Sequence, residues 1–116
     1  MIKGIGIDLT EISRFSNLSE DFLKQVFNNQ EIKTIRNNPL LSSINFCLKE
    51  SILKAFGKGL YFGFFWHRIK LGNNRINVSK SLRQGLSNRY VIHACADNSK
   101  KYACAITIIE DKQEVF

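Results

Sequence analysis

Apolar and polar positions follow two different periods along this chain, and the switches between them mark out its elements. Around Asn45 to Gly59, NFCLKESILKAFGKG, apolar or small residues fall at Ile44, Cys47, Leu48, Ser51, Ile52, Ala55 and Phe56. This i, i+3, i+4, i+7, i+8 spacing predicts an amphipathic helix. Ser42 and Ser43 are candidate caps at its start, with Gly57 and Gly59 at its end. Glu50 and Lys54 fall one turn apart on one side of this helix, off the apolar stripe. They read either as a solvated ion pair or as part of a site.

Upstream, Ile2 to Asp8, IKGIGID, alternates with a strand period. Ile2, Ile5 and Ile7 are its candidate core contacts, and Asp8 stands at its end. Gly4 and Gly6 weaken a strand and point to the close approach of another backbone or a ligand. Their GxG lacks the rest of a dinucleotide fingerprint. Ser19 is a candidate N-cap for a helix that puts Phe22, Leu23, Val26 and Phe27 on its apolar face, with Glu20 and Asp21 suited to its first turn. A short helix over Gln30 to Arg36 turns Ile32 and Ile35 inward, and Asn37-Asn38-Pro39 breaks it.

Downstream of the long helix, Leu60 to Trp66 is an aromatic run that reads as core, as a shared subunit face or as a stacking platform for bases. Trp66 to Leu71 and Arg75 to Val78 read as a hairpin about the turn Gly72-Asn73-Asn74. Ser79 to Leu86 reads as a short helix ending at Gly85. Arg89 to Ala96 and Lys101 to Glu110 read as two last strands joined by Asp97-Asn98-Ser99-Lys100. The expected fold class is α+β, an antiparallel sheet packed on one long central helix plus shorter helices.

At 116 residues the chain, 1–116, is one domain by length. With 44% hydrophobic residues its core is real but small, and oligomerisation is a natural supplement. The expected setting is soluble and cytoplasmic: no leader with an apolar h-region is evident, and no apolar run nears the roughly 20 residues needed to span a bilayer. The three cysteines, Cys47, Cys95 and Cys104, form no CxxC, so neither structural zinc nor a disulfide framework is expected, and Cys47 reads as core. A formal charge of +7, from 17 Lys and Arg against 10 Asp and Glu, favours an acidic or phosphorylated partner.

Asp8 and Glu50 are together candidates for a hard-cation site, since Mg²⁺ takes one or two carboxylates plus waters and phosphate oxygens. Lys54, one turn along, is placed to neutralise phosphate charge. GIGIDLTEISRF at 4–15 and FCLKESILKAFGKG at 46–59, with YACA at 102–105 as a weaker third match, resemble the holo-acyl-carrier-protein synthase family of phosphopantetheinyl transferases. The resemblance implies that fold, with transfer of 4′-phosphopantetheine from coenzyme A to a serine of apo acyl carrier protein. Adenosine 3′,5′-bisphosphate would be the by-product.

Carried over by position, Asp8 and Glu50 bind Mg²⁺, with Mn²⁺ as an alternative ion, and Lys54 contacts phosphate. Lys49, Ser51, Lys58 and Asn98 join Lys54 on the coenzyme A side, and Arg14 meets the carrier protein. Glu50, directly or through a water, is the candidate to take the serine proton. A homotrimer with sites between subunits is implied as well. The chain departs from the family pattern where its Ser-x-x-His element falls on Cys95 and Asn98, where Asn45 replaces an arginine, and where Gly72-Asn73-Asn74, Arg68 and Lys70 replace its turn and acidic strand residues. These changes fall on the nucleotide rim, where weaker coenzyme A binding or altered positioning is expected. Two other readings follow from the residues: a relative that binds carrier protein without modifying it, and a basic nucleic-acid module. The second leaves Asp8 and Glu50 without a purpose, and no nucleic acid or membrane insertion is expected.

Overall fold

The computed structural model describes residues 1–57, 69–72 and 75–113. Strand β1 (Ile2–Glu11) runs through a 3-10 turn (Ile12–Phe15) to helices α1 (Glu20–Val26), α2 (Asn29–Ile35) and α3 (Pro39–Ala55). Then follow β2 (Ile69–Gly72), β3 (Arg75–Val78), β4 (Tyr90–Asn98) and β5 (Tyr102–Asp111). β1, β5 and β4 form one antiparallel sheet in that order, and β2 pairs with β3 in a separate hairpin. The α+β class is as expected from the sequence pattern.

The two glycines of β1 set how sheet and helix meet. A Cβ on Gly4 would stand 1.8 Å from the Ala55 carbonyl oxygen, and one on Gly6 1.9 Å from that of Ser51. Hydrogen at those positions lets β1 lie directly against the α3 backbone. The isoleucines therefore point the other way, contrary to the expectation that they enter the core: Ile5, Ile7 and Leu9 are 59%, 60% and 63% exposed. The face they leave to α3 carries Gly6, Asp8 and Thr10. On β5 the same face presents Ala103, Ala105 and Thr107, small enough for the helix to settle on.

Helix α3 starts earlier than its apolar stripe suggests. Asn38 is the N-cap, its side chain accepting from the Leu41 N–H at 3.1 Å, and Pro39 opens the first turn. The Asn37-Asn38-Pro39 break thus ends α2 and begins α3 at once, with Asn37 at φ +59° making the corner. Ser42 and Ser43 are not caps. They are buried inside the helix and donate back to the Asn38 and Leu40 carbonyls at 2.9 and 2.8 Å. At the other end Gly57 has φ +79°, the left-handed conformation expected of a helix stop.

The sequence-predicted helices α1 and α2 are present, with Ser19 accepting from the Phe22 N–H at 3.1 Å. Leu23, Val26, Phe27, Ile32 and Ile35 from them meet Ile52 and Leu53 of α3 and Ile69 of β2 in the main core. Residues 79–86 form turns, with Gly85 at φ +86°, where a short helix was expected. Of the last two strands, the first runs two residues further into their shared turn than the pattern indicated, to Asn98, and the second starts one residue later, at Tyr102, and ends one later, at Asp111. The aromatic run 60–66, the residues Gly59, Lys58 and Arg68, and the turn residues Asn73 and Asn74 lie outside the described residues.

Candidate functional site

Asp8 sits within β1, paired in register with Ala105, and the strand continues three residues beyond it. The expectation that it ends the strand is corrected because the β1–β5 ladder persists to Glu11. Its side chain is on the α3 face, where Lys54 Nζ donates to Asp8 Oδ1 at 2.9 Å and to the Ile7 carbonyl at 3.0 Å. Cys47 approaches Asp8 as well, and donates its thiol to the Ala103 carbonyl at 3.4 Å. Burial first, and the Asp8 carboxylate second, push that thiol up to about 12.

Glu50 lies three residues after Cys47 and four before Lys54, so helical spacing puts all three on one face. Both of its neighbours on that face touch Asp8, and Glu50 between them is wholly buried. The expectation that it lies off the buried stripe fails because α3 is covered on nearly every side, by the sheet, by the other helices and by the 3-10 turn. Asp8 Oδ2 is buried and finds no hydrogen-bond partner among the described residues. A buried orphan carboxylate oxygen, a second carboxylate on the facing helix and a lysine at the margin suit a hard cation that brings water and phosphate oxygens as its other ligands. Among the described residues no group of three or more His, Cys, Asp or Glu gathers, and a two-carboxylate Mg²⁺ site needs none.

Lys49 and Ser51 are elsewhere. Lys49 is wholly buried on the α1–α2 side of the helix, donating to Glu31 Oε1 at 2.6 Å and to the Val26 carbonyl at 2.9 Å, above the Phe27 ring. Burial draws its ammonium below the ordinary lysine value while Glu31 opposes that shift. Ser51 is also buried, its hydroxyl 2.7 Å from that of Thr107 and 2.9 Å from the Leu48 carbonyl. Both side chains are wholly buried, and among the described residues their partners are protein groups.

The sequence model of the 4′-phosphopantetheinyl transferase superfamily matches residues 4–107, most of the chain. The chain belongs to this family. The holo-acyl-carrier-protein synthase of Caldicellulosiruptor saccharolyticus is 34% identical over 96% of this chain and 100% of its own length. That of Wigglesworthia glossinidia brevipalpis is 30% identical over 97% and 94%. The fold is that of the Bacillus anthracis synthase solved with CoA (3′,5′-ADP), at a TM-score of 0.74, 22% identity, and coverage of 97% of this chain and 99% of that one. It is equally that of the Helicobacter pylori synthase in complex with coenzyme A, at a TM-score of 0.75, 23% identity, and coverage of 91% and 99%.

Within this transferase-family chain the remaining expected residues stand apart from Asp8. Arg14 is exposed on the 3-10 turn that follows β1. Asn98 is exposed at the β4–β5 turn, its Nδ2 donating to the Ser99 carbonyl at 3.1 Å. A cleft of about 970 Å³ opens between α2, α3, the hairpin and β4, lined among others by Lys33, Asn45, Leu48, Arg75, Ile76 and Cys95. Asn45 is on the face of α3 turned away from Cys47, Glu50 and Lys54, while Leu48, at the flank, also packs against Cys47 and its neighbours on β5. One residue escaped the sequence reading altogether. Glu31, three after Asn28, completes a capping box on α2, and N-x-x-E before an apolar stretch is a legible sign of one. Its pairing with Lys49 carries no such local sign.

Proposed function

We propose that this chain is a holo-acyl-carrier-protein synthase, moving 4′-phosphopantetheine from coenzyme A to a serine of apo acyl carrier protein. The observation that carries the reading is the Lys54–Asp8 contact with Glu50 on the same helix face. The serine oxygen forms a bond to the phosphorus that bears the pantetheine arm, and the bond from that phosphorus to adenosine 3′,5′-bisphosphate breaks. Asp8 and Glu50 would hold Mg²⁺, which supplies charge neutralisation to the pyrophosphate. Lys54, already oriented by Asp8 and the Ile7 carbonyl, adds a point charge for the departing phosphate. Glu50 is the residue we assign to the serine proton, directly or through one water.

We further read the active form as a homotrimer of one-domain subunits. Ile5, Ile7, Leu9 and Ile106 are exposed side by side on the outer face of the sheet, a surface suited to another copy. The cleft and the Asp8 face lie on opposite sides of α3, so a coenzyme A spanning both kinds of residue would draw them from two subunits. Under this reading Lys58, the cleft lysine and arginine, and Asn98 serve the nucleotide, and Arg14 serves the acidic carrier protein. The setting is the cytoplasm, supplying carrier protein to fatty-acid synthesis. No helix among the described residues is long and apolar enough to cross a membrane.

The test is intact-mass spectrometry of a bacterial apo acyl carrier protein incubated with the chain, coenzyme A and Mg²⁺. A phosphopantetheine-sized gain that vanishes with chelator is expected. No gain, with carrier protein still bound, would instead make this a non-modifying relative, with Asn98 and Cys95 as the reason.

A further inference from the structure

Glu31 joins four parts of the molecule at one buried point. Its Oε1 accepts from the Asn28 N–H at 2.9 Å and from Lys49 Nζ at 2.6 Å, and its Oε2 accepts from the Leu71 N–H at 2.8 Å. Lys49 in turn donates to the Val26 carbonyl at the end of α1. The last turn of α1, the first of α2, the middle of α3 and strand β2 are thus tied through a single carboxylate. A mere cap on a seven-residue helix needs only the first of these bonds.

What this junction controls follows from helix geometry. Successive side chains on α3 point about 100° apart, so Lys49, Glu50 and Ser51 leave the axis in three directions. Lys49 is fastened to Glu31 on the helical side, and Ser51 is fastened to Thr107 on the sheet side. Glu50 stands between two anchored neighbours. Its direction toward Asp8 is set by the roll of α3, and the roll is held at 49 and 51. The sheet anchor is a hydroxyl pair backed by the close glycine contacts, and the helical anchor is the Lys49–Glu31 pair.

We propose that Glu31 is a positioning residue for the Asp8–Glu50 divalent-cation site, acting through Lys49 on the roll of α3. The inference rests on the proposed metal role of Asp8 and Glu50. It also makes the hairpin a participant, because the Leu71 N–H engages the free arm of the same carboxylate, so the seating of β2 and the aim of Glu50 share one support.

The experiment reads Mn²⁺ binding directly, by paramagnetic resonance titration of the full chain with coenzyme A present, alongside turnover. Native protein should bind Mn²⁺ and Glu50→Gln should not. Glu31→Gln should weaken Mn²⁺ by tenfold or more and lower kcat, with KM for the carrier protein within twofold of native. Asn28→Ala removes the cap but spares the Glu31–Lys49 pair, so it should lower the melting temperature and leave Mn²⁺ affinity unchanged. Should Glu31→Gln fail to fold, the double variant Glu31→Gln/Lys49→Met removes both charges together and is expected to fold and still bind Mn²⁺ at least tenfold more weakly. Mn²⁺ affinity within twofold of native in a folded Glu31→Gln or double variant would overturn the inference. So would an equal loss in Asn28→Ala, which would reduce Glu31 to general stability. A native protein that binds no Mn²⁺, or a Glu50→Gln variant that binds it normally, would refute the metal site itself and this inference with it, a distinct result.

Discussion

At the scale of single residues the decisive contrast among the proposed site residues is between buried carboxylates and exposed polar groups. Glu50 is wholly buried on the face of α3 that meets Asp8, whereas Asn98 is exposed and bonded to its own turn. Glu50→Gln is therefore expected to cost about 10²-fold or more in turnover, the range of a lost general base. Asn98→Ala should cost about tenfold at most, the worth of one neutral hydrogen bond. Steady-state kinetics on the two variants decides it, and comparable losses would mean the cation site is elsewhere. Cys47 yields a second expectation. Its thiol is buried and raised to about 12, so near pH 8 it carries almost no thiolate. It should resist a thiol reagent in the native chain and react once guanidinium unfolds it, as peptide mapping of the labelled protein would show. The placement of these residues was legible in unequal measure. That Lys54 meets Asp8 was open to reading because the motifs fix the identity and spacing of Asp8, Glu50 and Lys54. The burial of Lys49 was not, because its partner Glu31 is eighteen residues away on another helix and nothing local couples them.

At the scale of elements, the joint between β1 and α3 carries the proposed site, and glycine makes that joint. The Cβ of an alanine at position 6 would stand 1.9 Å from the Ser51 carbonyl oxygen and 2.7 Å from the Ala55 nitrogen, both backbone atoms that no rotamer change can move. Gly6→Ala must therefore push the strand off the helix, two residues from Asp8. A loss of about 1–3 kcal/mol is expected from overpacking of this kind, measured by urea denaturation, together with a turnover loss that survives at temperatures where the variant is fully folded. Close approach was the correct expectation for these glycines, yet the neighbouring isoleucines were assigned to the core. Alternation says only that two faces differ. Which face is inside depends on what covers it, and here a helix backbone, not side chains, covers the glycine face. For the same reason α3 was read as amphipathic with one buried stripe. The cover on its other sides comes from the sheet and from α1 and α2, and cannot be seen in the helix's own period.

At the scale of the whole molecule, two features place the chain in its surroundings. The first is a clamp at the sheet end: Asp111 accepts from the Ser87 hydroxyl, from the Ser87 N–H at 2.8 Å and from the Gln113 N–H at 3.1 Å. The Ser87 bonds hold its carboxyl at about 2, below its ordinary 3.8. A depressed carboxylate contributes stability above the unfolded value and loses it as pH falls through the folded one. The advantage of native chain over Asp111→Asn should hold at pH 5 and shrink between about pH 4 and 2, as urea midpoints at each pH would show.

The second feature is the outer face of the sheet. β1 and β5 set Ile5, Ile7 and Leu9 beside Ile106 by their register, with Ile7 directly opposite Ile106, and α3 covers only the other side. An exposed apolar sheet face of this kind is unusual in a monomer. Ile7→Glu leaves every contact with α3 in place, because that side chain points away from the helix. It should preserve the far-ultraviolet circular dichroism and dissociate the proposed trimer to monomers in analytical ultracentrifugation. If the nucleotide is held by residues from two copies, turnover should fall with the assembly, whereas the Asp8–Lys54 contact, made within one chain, persists. A variant that remains fully assembled would exclude this face as the subunit contact. A monomer with native turnover would show that one chain completes the site alone.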